Sequence, residues 1–288
     1  MTTLRLGLLQ LAVRTPTDCS PAEIRAASLR VIEDYANRAA ARGVQVLALQ
    51  ELCNQPYFPP SRDTRWHGAA ERIPDGPSVS QARVWAARHK MVLVLPVYEE
   101  EAPGIYYNSA AVIDADGSYL GKYRKVHIPD MVDWPEKFFF RPGNLGFPVF
   151  KTTFGRVGVY ICYDRHFPEG FRALALAGAE LVVVPTATGP HSRSIWEIEL
   201  KAAAIANSYF VAGVNRVGKE APWNIAEFYG ASLVVNPNGE VVAQGGQEDE
   251  LVVADLDLDL VRTQRSFWQF YRDRRPELYG TLADPSVG

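Results

Sequence analysis

Three side chains in this sequence are of types that can attack a carbon, move a proton and hold a negative charge: Cys162, Glu51 and Lys125. A thiolate is a nucleophile, a buried carboxylate beside it can take its proton, and an ammonium can stabilise the oxyanion that forms on a carbonyl substrate. No histidine is needed in such a scheme. Residue type alone leaves plainer alternatives open. Cys162 reads equally well as a buried thiol that only packs. Glu51 reads as a surface or capping carboxylate, and Lys125 belongs to a basic run with Lys122 and Arg124 that suits a solvated face.

The elements around these residues place them at comparable points. Residues 156–162 lead as an apolar strand into Cys162, and Phe167-Pro168-Glu169 opens a helix just beyond. That helix start is expected to favour thiolate over thiol. Residues 44–49 form a buried strand ahead of Glu51, and residues 118–123 form the second strand of a hairpin, around Asp116-Gly117, ahead of Lys125. Strand ends are where α/β sheets bind ligands.

Residues 4–13 predict a strand covered on both faces. Ser20-Pro21-Ala22-Glu23 is a capping box, and Ile24, Ala27, Val31, Tyr35 and Ala39 then recur at helical spacing up to Gly43. This β-α-β order implies parallel neighbours with a right-handed crossover. Residues 54–77 predict a long loop over a site rather than a linker. Further strands are predicted over 91–98, 108–114, 147–153, 181–184, 209–215, 232–236 and 251–256, with helices over 79–89, 168–177 and 194–208. The run 177–184 echoes 41–49, each a helix end, a glycine and a buried strand. The expectation is one α/β domain over 1–288, two packed sheets with helices outside. A tail over 257–288 has an aromatic, charged segment, 267–277, with no obvious core role, suited to docking on a partner subunit.

Composition narrows the class. Of 288 residues, 47% are hydrophobic and 22% charged, an ordinary globular balance. A net charge of -3 offers no basic surface for nucleic acid or anionic lipid. The N-terminal residues lack a signal-peptide core, and no stretch reaches transmembrane length. Three cysteines suit a reducing, cytoplasmic setting, and the five histidines show no metal-ligand spacing. No glycine-rich phosphate loop is present. A cofactor-free, metal-free cytoplasmic protein acting on a small molecule is the simplest class.

Three stretches resemble the motifs of the nitrilase superfamily, the carbon–nitrogen hydrolases: Leu49-Gln50-Glu51-Leu52, Tyr123-Arg124-Lys125-Val126-His127-Ile128-Pro129, and Gly158-Val159-Tyr160-Ile161-Cys162-Tyr163-Asp164. They occur in the family's order, and the likeness runs from Arg5 to about Tyr279. The resemblance implies an α-β-β-α sandwich that pairs into four layers as a homodimer or higher homo-oligomer. It implies Cys162 as nucleophile, Glu51 as general base and later acid, Lys125 as oxyanion stabiliser with the Tyr163 N–H helping, and Glu136 as a second glutamate beside them. Glu136 also reads as a loop salt bridge.

Within the superfamily the stretches around Arg165-His166, Trp196, Asn215-Arg216 and Phe228-Tyr229-Gly230 resemble the branch containing β-ureidopropionase and related N-carbamoyl hydrolases. Asp164 departs from that branch, which tends to have glycine there. Arginine at position 165 is similar to enzymes whose substrates end in a carboxylate, which a guanidinium grips bidentately. N-carbamoylputrescine amidases tend to have glutamine. Arg165 also reads as paired with Asp164 or Glu169 and out of reach of ligand. The expected activity is hydrolysis of an N-carbamoyl amino acid such as N-carbamoyl-β-alanine to amino acid, ammonia and carbon dioxide. The alternatives are an N-carbamoylputrescine amidase or ω-amidase, an inactive metabolite-binding sandwich, and a redox thiol. Tyr163, Asn215, Arg216 and Trp196 are expected to shape the pocket.

Overall fold

A computed structural model describes residues 3–220, 222–223 and 227–287; Met1, Thr2 and Gly288, the ends of the expected domain, lie outside the described residues. The chain begins with β1 (Thr3–Gln10), α1 (Pro21–Ala41), β2 (Val46–Leu49), α2 (Pro77–His89), β3 (Val92–Ala102), β4 (Ile105–Ile113) and β5 (Tyr119–Arg124). A short ribbon, β6 (Asp130–Met131) with β7 (Trp134–Pro135), precedes β8 (Val149–Thr152), β9 (Gly155–Val159), α3 (Pro168–Leu176), β10 (Leu181–Pro185), α4 (Arg193–Asn207) and β11 (Phe210–Val214). A second ribbon, β12 (Val217–Gly218) with β13 (Phe228–Tyr229), leads to β14 (Leu233–Val235), β15 (Val241–Gln244), β16 (Glu250–Asp257) and α5 (Asp259–Trp268).

Two six-stranded sheets result, ordered β16-β1-β2-β3-β4-β5 and β15-β14-β11-β10-β9-β8. Each has a parallel centre, β1-β2-β3 in one and β9-β10-β11 in the other, with antiparallel strands outside it. The echo between the halves is therefore architectural: each is a β-α-β-α-β unit. Alternation along the strands builds the layers. Leu6, Leu8, Val46, Ala48, Val92 and Val94 share one apolar core with Val157, Val159 and Val182 of the other sheet. Leu9, Leu47, Leu49, Leu93 and Leu95 pack outward on Ile32, Ala36, Val79 and Trp85. The second sheet is covered by α3 and α4 through Phe171, Leu174, Trp196 and Leu200. This is the α-β-β-α sandwich.

The capping box forms as read: Ser20 Oγ accepts from Glu23 N and Glu23 Oε2 accepts from Ser20 N. The buried face of α1 is rotated from the predicted one, running through Ile24, Ser28, Ile32, Ala36 and Ala39. Val31 is exposed, because the small Ser28 and Ala36 rather than the bulkier Val31 and Tyr35 face the sheet. The strand predicted to reach Cys162 stops at Val159. Its continuation leaves the ladder where Ile161 N donates to the Asp164 carboxylate, and Cys162 opens a 3-10 turn at φ 51°.

β16 closes the first sheet by pairing with β1 from Thr3↔Asp257 to Gln10↔Glu250. Part of the tail then has a core role that its composition concealed. Val261 is buried, Arg265 Nη2 donates to Ala179 O at 2.7 Å, and Tyr271 OH donates to Asn207 O at 2.5 Å. Amphipathic side chains bury their stems and keep polar ends free for such contacts. Phe267, Trp268, Leu278 and Leu282 remain exposed.

Candidate active site

Three strand ends converge. Glu51 follows β2, Lys125 follows β5, and Cys162 follows β9 of the facing sheet. Lys125 N donates to Asn108 O on β4 at 2.8 Å, extending the β4–β5 ladder by one residue, so alternation points its side chain away from Lys122 and Arg124, which cluster on Glu99. The basic run thus splits between two environments.

The Lys125 ammonium lies between two carboxylates. Nζ is 2.8 Å from Glu51 Oε1 and 2.7 Å from Glu136 Oε2, and all three side chains are buried. Asn108 Nδ2 also donates to Glu51 Oε1, at 2.7 Å, and Tyr57 OH donates to Glu136 Oε1 at 2.6 Å. Glu51 Oε2 is buried without a protein partner, so it is the oxygen free to accept a proton. Two of the three ammonium donors go to carboxylates. The N–H groups of Cys162 and Tyr163 open the 3-10 turn and so have no acceptor within it.

Burial fixes the resting protonation. It pushes the Cys162 thiol up to about 12, with the Glu51 charge adding and Lys125 and Arg165 opposing. The resting group is a thiol, correcting the thiolate expected at a helix start. The turn after Cys162 is short, α3 begins only at Pro168, and its dipole does not offset desolvation. Burial alone would lower Lys125, yet Glu136 and Glu51 more than reverse this and keep it charged. Glu136 is pushed up to about 7 by burial and the Glu51 charge, against the pull of Lys125. An acceptor carboxylate, a thiol and a fixed cation in a dry site can together form and break an acyl bond.

Asp164 bolts the two sheets together at this point. Its Oδ2 accepts from Ile161 N at 3.0 Å and Tyr123 OH at 2.7 Å; its Oδ1 accepts from His127 N and Nδ1 at 2.8 and 2.7 Å. Tyr123 and His127 flank Lys125, so one carboxylate sets the nucleophile turn against the lysine segment. Loops close the site from above. Tyr57, Trp134, Phe228 and Ala187 belong to one buried cluster with Phe58, Trp66, Tyr98 and Phe139, drawn largely from the predicted 54–77 loop and the segment after Lys125.

The remaining predicted residues divide into two groups. Arg165 and Trp196 underlie the nucleophile: Arg165 Nη1 donates to Cys162 O at 3.0 Å, and its guanidinium stands 5.4 Å from the Trp196 ring centre. Arg165 is paired with Glu199 at 3.0 Å, not with Asp164 or Glu169, because α4 brings Glu199 against the turn. Tyr163 sits beside it, edge-on to His166 and Phe167. Asn215 and Arg216 direct their polar groups to the protein's own loops. Asn215 Oδ1 accepts from Thr188 N at 2.9 Å and its Nδ2 donates to Gly230 O at 3.1 Å, tying two loops. Arg216 is buried on backbone carbonyls and Glu220. Tyr57, Asn108, Asp164 and Glu199 escape motif reading. Only Asp164 left a trace, as a charged residue where the branch tends to have glycine. Among the described residues no group of His, Cys, Asp and Glu is placed to hold a metal, and no helix is long and apolar enough to cross a membrane.

A two-sheet sandwich with buried glutamate, lysine and cysteine at its strand ends defines a C–N bond hydrolase of the nitrilase type. The chain belongs to the carbon-nitrogen hydrolase family, whose pattern matches residues 5–266. It is 40% identical over 265 residues to the N-carbamoylputrescine amidase of Arabidopsis thaliana, covering 87% of this chain and 88% of that one. It is 35% identical to the beta-ureidopropionase of the same plant, covering 97% of this chain and 72% of that one. The carbon-nitrogen hydrolase structure from Helicobacter pylori G27 superposes with a TM-score of 0.91 at 31% identity, over 98% of this chain and 99% of that one.

Glu136 generates a pH prediction. Its carboxyl titrates near 7, so acidification through that range protonates it and loosens its hold on Lys125. Turnover of the native chain is expected to fall as pH drops through about 7. In Glu136→Gln that acid limb should vanish, with the alkaline plateau lower by about a hundredfold, the size of effect that a small displacement of a reacting group produces. A pH–rate profile of both proteins reads this; an unchanged acid limb in Glu136→Gln contradicts it.

Proposed function

We propose that this chain hydrolyses the carbamoyl C–N bond of a linear, amine-ended ureide of the N-carbamoylputrescine type, using Cys162, Glu51 and Lys125. The observation that carries the choice of substrate is the ion pair between Arg165 and Glu199. A guanidinium already neutralised by a carboxylate, and donating to Cys162 O, is poorly available to a second carboxylate. The higher identity to the N-carbamoylputrescine amidase than to the beta-ureidopropionase supports the same reading.

The chemistry follows from the site. Glu51 Oε2 takes the thiol proton as Cys162 Sγ attacks the ureido carbon. Lys125 and the Tyr163 N–H hold the oxyanion. Glu51 returns the proton to the departing nitrogen as the C–N bond breaks and the carbonyl re-forms, and the carbon stays bonded to sulfur as a thioester-like intermediate. Water, deprotonated by Glu51, attacks that carbon and restores the thiol. The carbamate released breaks down to carbon dioxide, so one ureide and one water give one amine, one ammonia and one carbon dioxide. A thiol pushed up to about 12 makes concerted proton removal necessary, since free thiolate is scarce at neutral pH.

An acid-ended substrate such as N-carbamoyl-β-alanine is the second reading, favoured by the Arg165 guanidinium lying against the nucleophile turn. It requires Glu199 to release Arg165. Ammonia release from N-carbamoylputrescine and N-carbamoyl-β-alanine, with Cys162→Ala as control, separates the two. The expected result is kcat/KM at least about tenfold higher for the amine-ended substrate, a difference of about 1.4 kcal/mol, and none in the variant. Preference for the acid overturns the substrate assignment.

The same reading includes self-association through the α3–α4 face and the tail. A groove of about 760 Å³ there is lined by Phe171, Leu176, Ala203, Tyr279 and Leu282, and Ile198 and Leu176 are exposed nearby. Exposed apolar surface of this kind suits a second copy. Light scattering of the full chain is expected to give at least a dimer mass; a monomer at micromolar concentration contradicts this.

A further inference from the structure

Arg216 and Glu220 touch none of the groups that react, yet both are buried. A buried guanidinium requires an acidic partner, and Glu220 accepts from Arg216 Nη1. The destination of the other donors is what distinguishes this pair. Nε and Nη2 donate to Glu51 O at 3.3 and 3.0 Å, and Nη2 also meets Leu52 O and Gln55 O, each at 2.6 Å. These are the carbonyls of the turn that begins at Glu51.

That turn is strained at one residue. Leu52 stands at φ 49°, a left-handed conformation that costs a side-chain-bearing residue about 1–2 kcal/mol. It persists only where the surroundings over-determine it. Here one planar fork donates to three carbonyls of the turn, those of Glu51, Leu52 and Gln55, and adds to the single backbone bond within it, from Gln55 N to Leu52 O. The other oxygen of Glu220 accepts from Tyr57 N, and Tyr57 OH donates to Glu136 Oε1 at 2.6 Å. A single ion pair therefore holds the backbone of the residue that flanks Lys125 on one side and the support of the carboxylate that flanks it on the other.

We propose that Arg216 and Glu220 are positioning residues, a clamp that sets Glu51 and Tyr57 against Lys125 and Cys162 and thereby governs the rate of bond cleavage rather than substrate affinity. The proposal rests on the reading of Glu51 as the base that takes the Cys162 proton. Arg216 touches no substrate atom in this scheme. A lysine at 216 keeps the charge but presents a point donor, which cannot serve Glu220 and the three carbonyls in one plane.

The test uses the full chain with Arg216→Lys, Glu220→Gln and, as a floor, Glu51→Gln. Three quantities are read: thermal unfolding, steady-state kcat and KM, and the rate at which iodoacetamide alkylates Cys162, resolved by peptide mass spectrometry. Cys19, which is half-buried and bonded to neither Arg216 nor Glu220, serves as the internal reference. The expected result for folded Arg216→Lys is kcat lower by about 10–100-fold with KM within about threefold, as a misplaced reacting group gives. Cys162 alkylation is expected to fall by about tenfold toward the Glu51→Gln rate, with Cys19 unchanged.

A purely structural role would lower the unfolding temperature and leave kcat and Cys162 alkylation of the folded protein at native values; that result overturns the proposal. So does a change confined to KM. Should Arg216→Lys fail to fold, the near-isosteric Glu220→Gln carries the same readouts. Should the native chain turn over neither ureide, the substrate assignment fails, and the ratio of Cys162 to Cys19 alkylation still decides the clamp.

Discussion

The buried ammonium of Lys125, shared between Glu51 and Glu136, is the interaction on which the site depends. Each charge has been taken out of water, which costs several kcal/mol per ion unless partners replace the lost hydration. Here they do: both carboxylates bond the ammonium, Asn108 adds a donor to Glu51, and Tyr57 adds one to Glu136. Three buried charges so arranged are mutually dependent. The cluster also carries a proton whose affinity lies close to neutrality, on Glu136. A group poised there suits proton traffic at physiological pH.

The fold exists around this cluster as a way of delivering groups from separate sheets. Glu51 and Lys125 come from one sheet and Cys162 from the other, so neither half holds a complete site. The apolar contact of Leu6, Val46 and Val92 with Val157 and Val182 brings the sheets together. Asp164 then sets the local registration, since its four acceptor contacts span Ile161 beside the nucleophile and Tyr123 and His127 beside the lysine. Core packing is non-directional and brings elements to within contact range; buried polar contacts of this kind determine the last ångström.

Much of this was legible in the sequence, and the boundary is physical. The capping box at Ser20, the Asp116-Gly117 turn and the buried parallel strands are local signals, and each formed where the residues placed it. The family likeness brought Glu51, Lys125, Glu136 and Cys162 into one reading, and the structure places Glu51 and Glu136 on the Lys125 ammonium, with the buried Cys162 held against that lysine segment by Asp164. What escaped was set by contacts distant in sequence. The face of α1 turned on which small residues met the sheet, which spacing alone does not encode. Sequence proximity offers Arg165 only the carboxylates of Asp164 and Glu169, whereas its partner Glu199 arrives on α4. Arg216 lies next to Asn215 in a strand-end motif, and its donors reach back to Glu51, Leu52 and Gln55, far away in sequence. The protonation state of Cys162 departs from the sequence expectation for a related reason: a helix start is visible in sequence, whereas complete burial is not.

The most direct test of the shared-ammonium account is turnover by Lys125→Met, a replacement of similar length that keeps the stem and removes the charge. The account predicts a folded protein whose kcat is lower by about a hundred- to a thousandfold, the scale of losing an oxyanion donor. Without the cation, the two carboxylates also lose their common partner, so thermal stability of the variant should rise as pH falls toward 5 and a buried carboxyl takes up a proton. Activity within about tenfold of the native chain would contradict the account, because the charge between Glu51 and Glu136 would then be dispensable.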